Sequence, residues 1–412
     1  MTIYYVAKTG NDSNSGTDHA NPKLTIASAA ASAYAGSSNI VEIIDSGQYN
    51  EGDIEIYSNA ITVRATGSNA PILDGDSGTE DHAFETYISG CVFQGLTFRN
   101  FDEQLINGFN TAGMNFILSG CLAYDFGTAS PYGQKIGGGG HAEIHDCKIV
   151  SNGGAGVRTT TAGSKVWINN SIIATNEPGS SAIVSAQSYT DVTASFCTFI
   201  GSGYNNSSDT NWHLVDQVYK VINCIVSGSG DGINAYESTY NVVNVSGDPF
   251  ITWTADHYDG TPRAAHSTEI SGDPLFVSGS HVGVTDNNPG TPGNQKLLGN
   301  VSFDTQDFSL SNGTPASRAG ISYNGVSVDI IAVERAATPT IGPYEFTEIW
   351  TDYTSERDLR FDPDHLTSNR YINLQDNQRY RIAHNPEQVP FSRGVKGPST
   401  LRGRNTPYKV DK

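Results

Sequence analysis

The sequence contains no run of about eighteen apolar residues, whereas a membrane-crossing helix needs about 20. We therefore expect no membrane partner. The first ten residues, MTIYYVAKTG, lack the basic region and apolar core of a secretory signal. We expect a protein that is used without Sec export or whose signal has been removed. Only two methionines occur against 44 glycines, which favours strands and turns over helices.

Cysteine is also scarce, since the five cysteines include no Cys-x-x-Cys pair. We interpret them as buried, reduced thiols that pack like small hydrophobic residues. Neither a metal centre nor an obligatory disulfide framework is indicated.

Positive charge is rare over most of the chain. Residues 1–346 carry 13 basic and 34 acidic side chains, whereas residues 347–412 carry 11 and 9. The net charges are therefore −21 and +2, which give −19 for the whole chain. An acidic body argues against nucleic acid as a partner, and a basic end suggests an arm that lies on an acidic surface.

What the sequence does contain is a repeat of six copies. Its anchor residues recur every 24 to 27 residues, a period typical of repeat architectures. Positions five and three residues before the anchor and two after it are apolar in every copy. Because a strand turns alternate side chains to opposite faces, we expect these three positions to be buried in every copy. We expect the positions between them to be exposed to solvent. The anchors are Leu96, Cys121, Cys147, Ser171, Cys197 and Cys224, and the apolar columns run from Cys91, Phe93 and Phe98 to Tyr219, Val221 and Val226.

The alternation predicts a parallel β-helix. A helical solenoid would need an apolar spacing near 3.6, but the copies show a spacing of two in short segments separated by Gly, Asn and Ser. Each copy then forms one coil, and its strand bonds to the equivalent strand of the next coil. Stacked coils bury a core that no single coil can form.

The flanking segments resemble a known family. Residues 3–19 predict a strand and a loop, residues 24–35 a short helix, and residues 40–75 further strands. The YYV strand, GNDS loop and following Gly16 and Thr17 resemble the opening of right-handed parallel β-helix proteins of the pectate-lyase type. Segments 273–277 (DPLFV), 307–320 and 341–346 (IGPYEF) are similar to the closing coils of that family. Thr314 stands where Ser is usual, and Pro343 is a second departure.

This resemblance implies an all-β protein: a right-handed, single-stranded parallel β-helix with a short N-terminal capping helix and an extended C-terminal tail. We expect the first strand and capping helix in residues 1–39, the β-helix in residues 40–346 and an arm in residues 347–412. The arm has too few aliphatic residues for its own core, so we expect it to dock on a neighbour. Its aromatic anchors are Trp350, Tyr353, Phe361, Tyr371, Tyr380 and Phe391.

The densest polar cluster is the segment GGGGHAEIHDCK in the third copy. An exposed ring among polar groups can bind a sugar chain, and imidazole with carboxylate also suits Zn²⁺ or Ni²⁺. A solvated face without a ligand is the alternative. The predicted ligand-binding strip consists of outward residues on two adjacent coils: His141, Glu143, His145, Lys165, Trp167 and Asn169.

Two enzyme classes with this fold need groups that the repeat does not assemble. A polyuronate lyase needs a base, for which Lys148, Arg158 and Lys165 are candidates, and carboxylates clustered around Ca²⁺. The nearby carboxylates Asp125, Asp146 and Glu177 do not fall in neighbouring outward columns.

A glycoside hydrolase needs two carboxylates about 5 to 9 Å apart. No outward column of the repeat contains such a pair. If the protein is an enzyme, we expect Glu143, His145 and Lys148 to be its catalytic residues.

The loop with Asn11, Asp12 and Asp18 offers oxygen ligands for Ca²⁺, the one cofactor that the sequence suggests. The alternative is a turn that satisfies its own backbone.

Fold class does not determine function. The polar, lysine-poor surface, the unassembled acid cluster and the basic aromatic tail favour a structural protein of a bacteriophage virion: a tail spike, fibre or capsid decoration that contacts surface glycans. We expect a homotrimer in the virion, bound to other virion proteins through residues 347–412. The alternatives are an extracellular carbohydrate-active enzyme, either polyuronate lyase or glycoside hydrolase, and a non-catalytic glycan adhesin.

Overall fold

The computed structural model of the protein describes residues 1–33, 39–57, 60–67, 69–76, 80–108, 115–126, 132–136, 140–151, 155–159, 163–175, 184–186, 191–202, 213–229, 231–245, 250–252, 261–262, 267–271, 310, 314–317, 319–323, 326–330, 332–337, 339–345, 371–373 and 379–381.

The chain forms a parallel β-solenoid with one short helix. Sheet A begins with β1 (Ile3–Val6), β2 (Asn39–Ile43), β5 (Ile61–Ala65), β8 (Cys91–Gln94), β11 (Asn115–Ser119), β14 (His141–His145), β17 (Lys165–Asn169) and β20 (Asp191–Ser195). It continues through β22 (His213–Ile222), β24 (Asp231–Thr239), β26 (Phe250–Thr252) and β27 (Thr261–Pro262), and a branch from β22 adds β19 (Val184–Ala186), β16 (Ala155–Thr159) and β13 (Tyr132–Ile136).

Two further sheets form other faces of the coils. Sheet B contains β3 (Gln48–Tyr49), β6 (Ile72–Asp74), β9 (Thr97–Arg99), β12 (Leu122–Phe126), β15 (Lys148–Ser151), β18 (Ile172–Thr175), β21 (Thr198–Ser202), β23 (Ile225–Ser229), β25 (Val242–Val245) and β28 (Ile270–Ser271). Sheet C contains β4 (Ile54–Ile56), β7 (Phe84–Thr86) and β10 (Ile106–Gly108).

Equivalent positions of successive coils pair in register. Phe93 pairs with Leu118, Leu118 with Ile144, and Ile144 with Ile168. Seventeen of the eighteen predicted apolar positions are buried, as are all six anchors. The five cysteines are buried free thiols. The predicted inward columns therefore form one continuous core, and the parallel β-helix is confirmed.

Tyr219 is the exception, and its predicted burial is wrong. Its side chain is 42% exposed, whereas Val218 is fully buried. The pairing of β22 with β24 shifts between Val215 and Val218 because β22 contains an extra residue there. Tyr219 and Lys220 both lie between the buried Val218 and Val221, so strict alternation ends where β22 passes from pairing with β19 to pairing with β20.

Each bend from sheet A to sheet B uses one residue in the left-handed conformation, directly before the anchor. Its φ lies between 53° and 68° along seven successive coils. Gly, Asn and Asp adopt this conformation most readily, and Phe196 and Tyr240 are the departures. The seven residues are Gly95, Gly120, Asp146, Asn170, Phe196, Asn223 and Tyr240.

The predicted N-terminal helix is α1 (Ile26–Ala33), which buries its apolar side in the main core. The hydroxyl of Thr25 accepts a hydrogen bond from the Ser28 N–H, as an N-cap does. The Glu51 carboxylate accepts the N–H groups of Ile26 and Ala27 at 3.0 and 2.9 Å. A side chain from the next coil therefore fastens the start of the helix.

The closing segment, residues 314–345, lies against the bends at the C-terminal end of the repeat. The Ile321 N–H donates to Asn223 Oδ1, and the Gly342 N–H donates to the Asn223 carbonyl oxygen. Ser195 and Ile222 occupy a position of the repeat that we expected to be exposed to solvent, but they are only 0% and 6% exposed. The expectation is wrong for these two coils, whose bends contact the closing segment.

Arg335 is the central cation of the closing segment. Its guanidinium lies 4.0 Å from the Phe196 ring centroid and donates to Asn170 Oδ1 at 2.6 Å. It also pairs with Glu345 at 3.5 Å, and both side chains are at most 5% exposed. Burial lowers the pKa of Arg335 to about 10, so it stays protonated at neutral pH and the pair remains ionic.

The chain divides into two compact units, Met1–Glu345 and Phe346–Lys412. In the second, β29 (Tyr371–Asn373) pairs antiparallel with β30 (Arg379–Arg381). The rest of the predicted arm lies outside the described residues. The DPLFV motif at 273–277 and most of segment 307–313 also lie outside them. In the described part of the chain, no helix is both long enough and apolar enough to cross a bilayer.

We predict that Arg335→Ala lowers the free energy of unfolding by about 3–5 kcal/mol, because it leaves the buried Glu345 carboxylate without its cation. Urea denaturation of the full chain measures the change. Arg64→Ala is the control, since the Arg64–Glu42 pair is partly exposed and its loss should cost at most about 1 kcal/mol. Equal losses in the two variants would contradict this role of Arg335.

Candidate functional site

The six residues of the predicted strip meet on the outward face of sheet A. The register pairs His141 with Lys165, Glu143 with Trp167, and His145 with Asn169. Strand alternation explains the placement, because Ala142 and Ile144 between them are fully buried.

Glu143 is the centre of the strip. Its Oε1 lies 3.1 Å from His141 Nε2, and its Oε2 lies 2.9 Å from His145 Nε2. The hydrogen bond with His145 is the largest influence lowering the pKa of Glu143; burial opposes it and His141 adds to it. Glu143 is therefore a firmly ionised carboxylate at neutral pH and is poorly suited to act as a general acid.

Polar side chains at equivalent positions of successive coils form a row, here called a file, that runs along the solenoid and includes His145. The register connects Arg64, Gln94, Ser119, His145 and Asn169 on successive coils. His145 Nδ1 lies 3.3 Å from Asn169 Nδ2. These side chains sit on hydrogen-bonded strands and so present fixed donors and acceptors.

A groove of about 620 Å³ lies beside the first part of this file. Arg64, Gln94 and Ser119 line it, together with Gly120 and Asp146 of the bends. Its lining is mainly polar, which suits a hydrated, hydroxyl-rich ligand better than an apolar one.

Trp167 supplies an exposed ring beside the strip. The indole is 43% exposed, and the His141 ring meets it edge-on at 4.7 Å between centroids. Lys165 lies 4.0 Å from Asp191 on the next coil. The indole is therefore partly exposed and also packed against a neighbouring ring.

A second aromatic surface lies further along sheet A. The rings of Tyr219 and Tyr236 stack with centroids 5.7 Å apart and an interplanar angle of 9°. They are 42% and 63% exposed. Lys220 beside them pairs with Glu237 at 2.6 Å. The break in the alternation of β22 between Val218 and Val221 produces this surface, which the sequence pattern did not reveal.

The three predicted catalytic residues do not share one face. Glu143 and His145 point outward from sheet A, whereas Lys148 begins β15 in sheet B and lies 5.9 Å from the Tyr344 ring centroid. The side chains of the other candidates Arg158 and Asp125, and the whole of Glu177, lie outside the described residues.

The N-terminal loop does not fit Ca²⁺. The Lys23 ammonium lies inside it and donates to the carbonyl oxygens of Asp12 and Asn14 at 3.1 and 3.0 Å. The Asp12 carboxylate caps the Leu24 and Thr25 N–H groups. A cation already fills the loop, and the carboxylate faces backbone donors.

Within the described residues, the donor atoms that converge closely enough for a metal ion belong to Asp53, His82 and Glu85, not to the strip. These residues lie on or beside sheet C, outside the six-copy repeat. A usable signal was the repeated Glu-x-Tyr, at Glu55 with Tyr57 and at Glu85 with Tyr87.

The strand pairing makes this chain a parallel β-helix protein. Among solved structures it is similar to pectate lyase Pel9A, at 16% identity and a TM-score of 0.42, covering 84% of this chain and 96% of that chain. The chain matches no family model and no curated protein.

We predict that Glu143→Gln lowers the free energy of unfolding by about 0.5–1 kcal/mol at pH 7. Because the folded-state pKa of Glu143 is lowered, its contribution is complete above the unfolded-state value of about 4.3 and is lost as the pH falls through the folded-state value. The difference from wild type, measured by urea denaturation, should shrink below about pH 4. Glu334→Gln, at an exposed carboxylate, is the control. A difference that stays constant down to pH 3 would refute the assignment.

Proposed function

We propose that the protein is a glycan-binding structural protein of a bacteriophage virion, a tail spike, fibre or capsid decoration, and that it binds glycans on the outward face of sheet A. The observation that carries the proposal is the combination of exposed rings and fixed polar side chains on one rigid sheet. Trp167, Tyr219 and Tyr236 supply the rings.

The coil spacing suits a polymer. Adjacent parallel strands lie about 4.8 Å apart, so a chain of repeating units along the solenoid would meet similar groups on successive coils. Rings provide apolar contact with sugar faces, while amides, imidazoles and hydroxyls fix the orientation.

The ionisation of Glu143 and the position of Lys148 favour glycan binding over glycan cleavage. Glu143 is held ionised between two imidazoles, and Lys148 is on another face. The strip contains one carboxylate, Glu143, and not the pair of carboxylates that a glycoside hydrolase uses.

The charge distribution supports the virion assignment. The first unit carries a net charge of −21 and residues 347–412 carry +2. A basic, aromatic arm on an acidic body suits attachment to an acidic surface of a sister subunit or of the particle. We extend the proposal to a homotrimer on this basis, by analogy with other solenoid spikes.

We predict that Trp167→Ala weakens glycan binding roughly tenfold, the effect of losing about 1.4 kcal/mol of ring contact. Isothermal titration against a panel of bacterial surface polysaccharides measures it. Tyr57→Ala is the matched control, because Tyr57 is 49% exposed on a different sheet. Equal losses in both variants, or no binding by the wild type, would reject the binding face.

The same panel separates binding from the enzyme alternative. A polyuronate lyase would create unsaturated ends, and a glycoside hydrolase would create new reducing ends. We expect neither. Cleavage that is lost in Glu143→Gln would replace the structural proposal with an enzymatic one.

We predict that neutralising the basic end of the arm converts the trimer into monomers, because the arm then loses its attraction to acidic surfaces. Light scattering should give three times the 44.0 kDa chain mass for the wild type and one chain mass for the variant. An unchanged mass would contradict this role of the arm. The residues to replace with Gln are Arg393, Lys396, Arg402, Arg404, Lys409 and Lys412.

A further inference from the structure

The short sheet C carries a group of imidazole and carboxylate side chains that the proposed glycan surface does not use. One ligand atom each from Asp53, His82 and Glu85 lies within 4.8 Å of the others. Asp53 directly precedes β4, His82 lies two residues before β7, and Glu85 is in β7. Residues of two adjacent coils therefore contribute ligand atoms to the same site.

The backbone holds these residues in place. The His82 N–H donates to Asp53 Oδ1 at 3.0 Å, and the Asp53 N–H donates to the His82 carbonyl oxygen at 2.6 Å. The His82 side chain is 6% exposed, and its Nε2 lies 2.9 Å from Asn107 Nδ2. A buried imidazole with this support keeps its position without a ligand, which lowers the cost of binding one.

The chain itself supplies little positive charge here. Residues 50–108 contain ten acidic side chains and two basic ones, Arg64 and Arg99. Arg64 pairs with Glu42 and Arg99 with Asp74. The ion pairs among the described residues bring no lysine or arginine to Asp53 or Glu85.

The side chain of Glu80 also lies beside the Asp53 carboxyl group. Acidic groups concentrated in this way attract a cation.

We infer that Asp53, His82 and Glu85 form a binding site for a divalent transition-metal ion, with Zn²⁺ as the best match. One imidazole nitrogen and two carboxylate oxygens suit Zn²⁺, whereas Ca²⁺ takes oxygen ligands. In a tetrahedral site, ligands about 2.1 Å from the ion lie about 3.4 Å from one another. The observed ligand atoms, which are within 4.8 Å of one another, therefore need to approach by at most about 1.4 Å, a movement that side-chain rotation can supply.

Three protein ligands leave the fourth position of a tetrahedral zinc ion open. The exposed end of the site adjoins a pair of tyrosines, because the Tyr87 hydroxyl donates to Glu85 Oε2 at 3.2 Å. The Tyr87 ring stacks on Tyr57 with centroids 4.6 Å apart. A ligand held at the open position would therefore lie beside an aromatic platform.

Titration of the metal-free full-length chain with ZnCl₂ by calorimetry tests the site. The wild type should bind one Zn²⁺ that Asp53→Asn and Glu85→Gln each weaken at least tenfold. X-ray absorption at the zinc edge should show one imidazole and oxygen ligands, and His82→Gln should remove the imidazole signal. Circular dichroism of each variant verifies the fold.

Two controls separate this site from other zinc ligands on the chain. Glu55→Gln alters the neighbouring carboxylate of the same outward file and should leave affinity unchanged. Glu143→Gln disrupts the imidazole–carboxylate strip on sheet A and should also have no effect. The inference is overturned if the wild type binds no zinc, if both Asp53→Asn and Glu85→Gln bind normally, or if Glu143→Gln abolishes binding.

Discussion

The hydrogen bonding of each strand to the same strand one coil later is the constraint on which the rest of the structure depends. It places equivalent residues of successive coils directly over one another, about 4.8 Å apart. A column of apolar residues then becomes a strip of core, and a column of polar residues becomes a file on the surface. Because the backbone makes these bonds wherever the register holds, it accommodates outward side chains as different as Glu143, Trp167 and Thr193.

The bends make this register possible. One left-handed residue before each anchor turns the chain from sheet A to sheet B at the same point of successive coils. Gly95, Gly120, Asp146, Asn170 and Asn223 adopt this conformation at low cost. At the bend where Phe196 replaces them, the guanidinium of Arg335 packs against its ring. The closing segment therefore stabilises one of the two coils whose turn residue is unfavourable in this conformation.

The surface divides into regions of different chemistry because each sheet presents its own columns. Sheet A combines rings with hydrogen-bonded polar groups, and the single carboxylate of the strip, Glu143, is hydrogen-bonded to two imidazoles. Sheet C concentrates carboxylates around a buried imidazole, and among the described residues no lysine or arginine forms an ion pair with Asp53 or Glu85. The first arrangement is suited to contact with neutral, hydroxylated polymers, and the second to a cation.

The sequence alone determined the solenoid, because the buried columns recur with a period that a β-coil explains and a helix does not. It also placed His141, Glu143 and His145 beside Lys165, Trp167 and Asn169, since equal steps between anchors imply pairing in register. Only the tertiary structure decided where the alternation of buried and exposed positions fails. The alternation of β22 breaks at Tyr219, which is exposed, and Ser195 and Ile222 are buried beside bends that the closing segment contacts. It also brings Asp53, His82 and Glu85 together, because hydrogen bonds between the turns of two coils, rather than a repeated sequence, set their separation.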